Sequence, residues 1–276
     1  MKRRWIAIPL IAVTIAALGG AGLAKDAPVA SQWAAAPVRI DGLDQDWQGA
    51  TFLTDPDSKA QYALRNDGQN LYILFLFKSP EAASTIDATG MKVYFSSEGA
   101  KSKDHGVHFL KKTLTADELV EYLQNQGQTL TDARKAELRQ KKDFTVFEAD
   151  VINPKKTPAP SDPSVKTEPP AFGTRSQNRE VVYEFRIPLS RTNQPGGIGA
   201  GPGQTLKLGF DWGGLTTEMV QAMMGPGAGG PGRAPSLDGS VANVRNDEAR
   251  EGGAVLRHSP RTRQHTFWID LKLAAQ

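Results

Sequence analysis

QYALRNDGQNLYILFLFKSP, residues 61–80, decides the fold class. Its second half, Leu71-Tyr72-Ile73-Leu74-Phe75-Leu76-Phe77, is apolar at every position. A strand with one wet face alternates, whereas a run apolar on both faces must be covered on both sides. The run therefore predicts a central strand. Asn66-Asp67-Gly68-Gln69-Asn70 precedes it, and an Asp-Gly step can supply the positive φ of a tight turn. Lys59 to Arg65 and the apolar run thus read as a hairpin.

Outward from this pair, the pattern becomes alternating. Val181, Tyr183, Phe185 and Ile187 share one face, against Val182, Glu184 and Arg186. Leu206, Leu208, Phe210 and Trp212 repeat it, as do Phe267, Ile269, Leu271 and Leu273, with Met91, Val93 and Phe95 as a shorter case. Period two marks half-buried strands. Mostly β, with an antiparallel two-sheet β-sandwich of jelly-roll type, is the expected fold. A short helical insertion over 113–178 interrupts it. There Thr115-Ala116-Asp117-Glu118 fits a capping box opening a helix to about Gln126, and Thr131 can cap a second reaching Lys141. The economical expectation is that the Leu119 helix covers the second face of Leu71–Phe77. Gly/Pro-rich stretches at 193–204 and 222–254 read as loops, and 25–36 as an N-terminal linker.

The first 24 residues read as an export signal: Lys2, Arg3 and Arg4, then an apolar stretch from Trp5, then Gly22-Leu23-Ala24 as a small-x-small cleavage site. The expected location is periplasmic or secreted, with no integral membrane span after cleavage. The whole chain carries 33 Lys+Arg and 30 Asp+Glu, but three of the bases lie in the signal, so the mature chain is balanced. No basic excess remains to point to nucleic acid as a partner. The chain has no cysteine, which excludes disulfides, thiolate metal sites and a thiol nucleophile. A chain of about 250 residues buries roughly 70–75% of its unfolded surface and needs no staples.

The ordered segments resemble the family 9 carbohydrate-binding modules, a β-sandwich group overlapping with DOMON domains. The similarity lies in Pro37-Val38-Arg39-Ile40-Asp41-Gly42-Leu43-Asp44-Gln45-Asp46-Trp47, in Gln61–Pro80, in Met91–Phe95, in Tyr183–Pro188, in Leu208–Asp211 and in Phe267–Leu273. Together these cover about half the mature chain in the family's order. The resemblance implies a sandwich that binds glycan without catalysis. Its usual ligand slot, between two loop tryptophans, is not matched. Ser84 to Gly90 holds no aromatic, Lys92 stands where relatives often carry a glutamate, and Gly213 stands near a position commonly polar. A stacking surface must then be rebuilt elsewhere. By parity Trp212 belongs to the core, whereas Trp268 lies on the opposite face beside Asp270 and Lys272. Trp268, Lys92 and Asp270 are the candidate ligand-binding residues.

Other chemistry is sparse. No G-x-S-x-G elbow, H-E-x-x-H or phosphate loop occurs, so no enzyme is expected. His105 and His108, three apart, point to opposite faces of a strand. Asp41, Asp44 and Asp46, with Asp55 and Asp57 nearby, are dense enough to hold a structural calcium or simply to solvate a turn. Otherwise no cofactor is expected. Trp47 plugs the core or contacts ligand. Two rival readings remain open: an envelope protein partner bound through the insertion and loops, and b-type haem held by a methionine among Met91, Met219, Met223 and Met224.

Overall fold

The computed structural model describes residues 27–96, 99–156, 158–177, 179–214 and 263–276, excepting the side chains at 81 and 82. The signal segment, Met219, Met223, Met224 and the 222–254 loop lie outside the described residues. In chain order the strands are β1 (Val29–Ala30), β2 (Gln32–Trp33), β3 (Leu53–Thr54), β4 (Gln61–Asn66), β5 (Asn70–Phe77), β6 (Met91–Ser96) and β7 (Gly106–Thr115). Then follow β8 (Asp143–Ile152), β9 (Ala171–Gln177), β10 (Glu180–Pro188), β11 (Thr205–Gly213) and β12 (Gln264–Lys272). Helix α1 spans Pro80–Thr89, α2 spans Ala116–Asn125 and α3 spans Asp132–Leu138.

The front sheet has the order β1-β12-β11-β6-β7-β8; the back sheet runs β2-β4-β5-β10-β9, with β3 beside β4. All the long pairs are antiparallel, and the expected two-sheet sandwich stands. Both sheets are nonetheless mixed, because β1 runs parallel to β12 and β2 parallel to β4. The segment read as a linker carries these two short strands and crosses from one sheet to the other at Ser31. There the Ser31 hydroxyl donates to Asn66 Oδ1 at 2.5 Å, the Asn66 amide donates to the Ala274 carbonyl at 3.0 Å, and the Ala274 N–H donates to Asn66 Oδ1 at 2.8 Å. This buried polar knot ties the segments around Ser31 and Ala274 to β4. Its groups satisfy one another, as buried polar groups must.

The alternating residues meet between the sheets. Leu71, Ile73, Phe75 and Phe77 of β5, with Tyr183, Phe185 and Ile187 of β10, pack on Met91, Val93, Phe95, Val107, Phe109, Leu208, Phe210 and Trp212 of the front sheet. Met91 and Trp212 are core side chains, as their parity required. Met91, fully buried among these residues, serves packing rather than an open ligand position.

The second face of β5 is covered differently from expectation. Tyr72 and Leu74, with Ala63 and Val182, lie under Ala34, Val38 and Trp47, with Ile40 and Ala50 alongside. The cover is therefore the 34–50 segment, with Trp47 on a 3₁₀ turn (Gln45–Trp47), and not the Leu119 helix. Helices α2 and α3 instead pack Leu119, Val120 and Leu138 on Leu114, Phe144 and Val146, the outer face of the long β7–β8 hairpin. The capping box is formed: the Glu118 N–H reaches Thr115 Oγ1, and the Glu118 carboxylate accepts from the Thr115 N–H at 2.7 Å.

Two local readings also change. Pro80–Thr89, which includes the stretch read as a loop before Met91, is helix α1, with Ser79 as N-cap, Pro80 in its first turn and the Gly90 N–H bonded to the Ile86 carbonyl. Pro just inside a start and Gly just past an end are the signal for such a helix. The hairpin turn at Asp67 does not depend on a positive φ at Gly68. Its carboxylate holds the turn, accepting from the N–H groups of Gln69 and Asn70 at 2.7 Å each and from the Tyr72 hydroxyl at 2.7 Å.

Candidate ligand-binding face

The outer face of the front sheet gathers the residues with chemistry to offer. Register places Trp268, Gly209 and Tyr94 side by side on β12, β11 and β6. One rung away, about 7 Å along the strands, lie Thr266, Asp211 and Lys92, with His108 next on β7. On the other side Asp270 opposes Lys207. The three candidate residues thus share one face, with Trp268 in the middle row and Asp270 and Lys92 on opposite flanks.

Gly209 explains the pose of Trp268. A Cβ at this position would fall 2.6–2.7 Å from three atoms of the indole, so the ring lies against bare backbone. Tyr94 stands beside it, near-parallel at 18° with ring centres 6.0 Å apart. Trp268 keeps part of its surface in water, while Tyr94 is nearly covered. Burial pushes the Tyr94 hydroxyl up to about 12, and the Asp211 charge adds to the push.

Charged groups frame the rings. Lys103, from the β6–β7 connection, places its ammonium 5.5 Å from the Tyr94 ring centre and donates to Asp211 Oδ2 at 2.6 Å. Gln264 donates to Asp211 Oδ1 at 2.9 Å, and Lys207 pairs with Asp270 at 2.5 Å. Asp211 and Asp270 are thereby ion-paired with lysine. Tyr94, Gly209, Lys103 and Asp211 escaped the sequence reading. Parity sets Tyr94 and Gly209 on outer faces, but only the register brings them to Trp268.

No family model matches the chain, and no curated protein matches it. Solved structures do show similarity. Two of them are a carbohydrate binding module family 9 protein from Caldicellulosiruptor kristjanssonii, one in complex with glucose and one with cellotriose. Each is 13% identical, covers 69% of this chain and 80% of that chain, and has a TM-score of 0.34.

The remaining candidates are dispersed. Asp46 faces Arg39 in a two-point ion pair, with both contacts at 3.2 Å, and that guanidinium holds its carboxyl below the usual range. Asp41 Oδ1 accepts from the Leu43 N–H at 3.0 Å, closing a turn. Asp44 precedes the 3₁₀ turn and makes no side-chain cap. Among the described residues no three His, Asp or Glu side chains are grouped as metal ligands; Asp41 closes a turn and Asp46 pairs with Arg39.

His105 and His108 are likewise apart. The His105 Nε2–H donates to the Pro195 carbonyl at 3.1 Å, and the His108 Nε2–H to the Thr89 carbonyl at 2.9 Å. Burial lowers the proton affinity of His108 from its ordinary 6.5; Lys92 lowers it too, while the Thr89 carbonyl, Asp150 and Asp211 oppose. The stability this neutral ring contributes is present above about pH 6.5 and is lost as pH falls toward its depressed folded value. Melting temperatures of wild type and His108→Gln between pH 7.5 and 5.0 should show a shallower acid loss in the variant.

Among the described residues no helix is long and apolar enough to cross a membrane.

Proposed function

We propose that the chain is an exported, non-catalytic binding module whose front-sheet outer face takes glycan, with Trp268 as the stacking residue. The observation that carries this reading is the Trp268 ring laid flat on Gly209, framed by paired charges. A pyranose ring has an apolar C–H face and a rim of hydroxyls. An indole face offers the apolar contact, as aromatic side chains do at interfaces with one greasy and one wet side. Gln264, Asp270 and Lys207 offer polar groups on the same face to a sugar's hydroxyls, and Lys92 adds a donor one rung away. Their existing ion pairs support binding rather than acid–base work, which requires a carboxyl free to move a proton. The basic then apolar stretch at 1–24, read as an export signal, supports a location outside the cytoplasm, where free glycan chains are met.

Isothermal titration against cello-, xylo- and manno-oligosaccharides tests it. The wild type is expected to bind one class, and Trp268→Ala to lose that binding by at least about tenfold, the equivalent of roughly 1.4 kcal/mol. Gly209→Ala, whose added methyl must lift the indole, should weaken binding with Trp268 still present. Unchanged affinity in Trp268→Ala would remove the proposal.

A further inference from the structure

The glycan reading of this face leads to a second inference that depends on it. Tyr94 belongs to the same row as Trp268, and the two rings are near-parallel with centres 6.0 Å apart, about the reach of one sugar unit. Yet Tyr94 is 5% exposed. Its cover includes Lys103, whose ammonium stands over the ring at 5.5 Å while its own side chain is 49% exposed. The lysine is anchored at Asp211, which retains Gln264 as a second partner if the ammonium leaves. Both holds on Lys103 belong to classes that are weak at half-exposed sites: a cation over a tyrosine face and an ion pair open to water on one side. The stem of a lysine can cover apolar surface and still swing away.

We propose that Tyr94 is a second stacking tile and that Lys103 is the latch over it, so that Lys103 sets how many sugar units the face reads. With the latch down, one unit stacks on Trp268. A longer chain gains the Tyr94 contact only by displacing the ammonium from the ring and from Asp211 into solvent.

The test measures affinity against chain length, using cello-, xylo- and manno-oligosaccharides of one to six units. Lys103→Ala is expected to raise affinity for chains of three or more units roughly fivefold, an aromatic stacking contact's worth, and to leave the shortest ligands unchanged. Lys103→Met, which keeps an apolar cover, should follow the wild type. Lys103→Ala/Asp211→Asn removes the charge left without its lysine and should show the same gain if the single variant folds poorly. Tyr94→Ala on the Lys103→Ala background should abolish the gain. Equal gain at every length, loss of binding in Lys103→Ala, or an unchanged length profile would each overturn the latch while leaving Trp268-dependent binding intact. Absence of binding by the wild type and every variant would instead overturn the glycan reading, and the latch with it.

Discussion

Glu184→Gln is expected to lower stability by about 2 kcal/mol, the cost of a buried donor left without a partner. That corresponds to roughly 4–8 °C in the melting temperature of a domain this size. Glu184 is fully buried in the middle of β10. Its Oε1 accepts from the Trp47 indole N–H at 2.7 Å, and its Oε2 from the N–H groups of Gly42 at 2.7 Å and Asp41 at 3.0 Å. Burial raises the proton affinity of the carboxyl, and those three donors oppose the rise. Every partner is a donor, so both oxygens must accept. An amide puts its own N–H₂ against one of them and leaves a buried donor unpaired. The consequence reaches beyond one bond, because the anchor holds the 34–50 segment that covers β5. Gly42 is part of the same device: at φ +76° its Cβ would lie 2.5 Å from the Thr174 carbonyl carbon. Thermal unfolding checks the loss, and protease cutting within 34–50 at temperatures below the midpoint should appear in the variant first.

Phe75→Ala is expected to cost about 3–5 kcal/mol through lost burial and the cavity left behind. Phe75 is fully buried. Its ring has Phe210 at 5.1 Å, Tyr62 at 5.7 Å, Trp212 at 5.9 Å, and Phe77, Phe185 and Phe267 at 6.2–6.4 Å. These neighbours come from both sheets, so no single one can collapse into the gap. Denaturant unfolding should show a lower midpoint with an unchanged slope. Glycan affinity at temperatures where the variant is folded should stay within about twofold, since the outer face does not touch Phe75.

The central strand was legible because Leu71–Phe77 is apolar on both faces, and the strands with Tyr183, Phe210 and Leu271 because they alternate. What covers the second face of β5 was not. Any apolar stripe can serve, and the nearest helix in sequence, at Leu119, turned out to cover its own hairpin while Trp47 came from elsewhere. Helix α1 had its Pro80 and Gly90 signals, but Ala83, Thr85, Ile86 and Asp87 give a weak stripe beside the strong strands. Asp67 shows a different limit: the turn formed as read, through a carboxylate in place of a positive φ. At the candidate site, parity sufficed to put Trp268 and Asp270 outside. Tyr94 and Lys103 depended on cross-strand register and on a loop's fold, neither of which is written in local spacing.

The most direct measurement is a ¹H–¹⁵N correlation spectrum of the labelled protein during titration with the oligosaccharide panel, read at the tryptophan indole signals. The Trp268 indole is expected to shift with one sugar class, together with the amides of Gly209, Asp211 and Asp270, while the buried Trp47 and Trp212 indoles stay in place. Binding that moves other residues and leaves Trp268 still, or a panel that moves nothing, would contradict the assignment of this face as the glycan site.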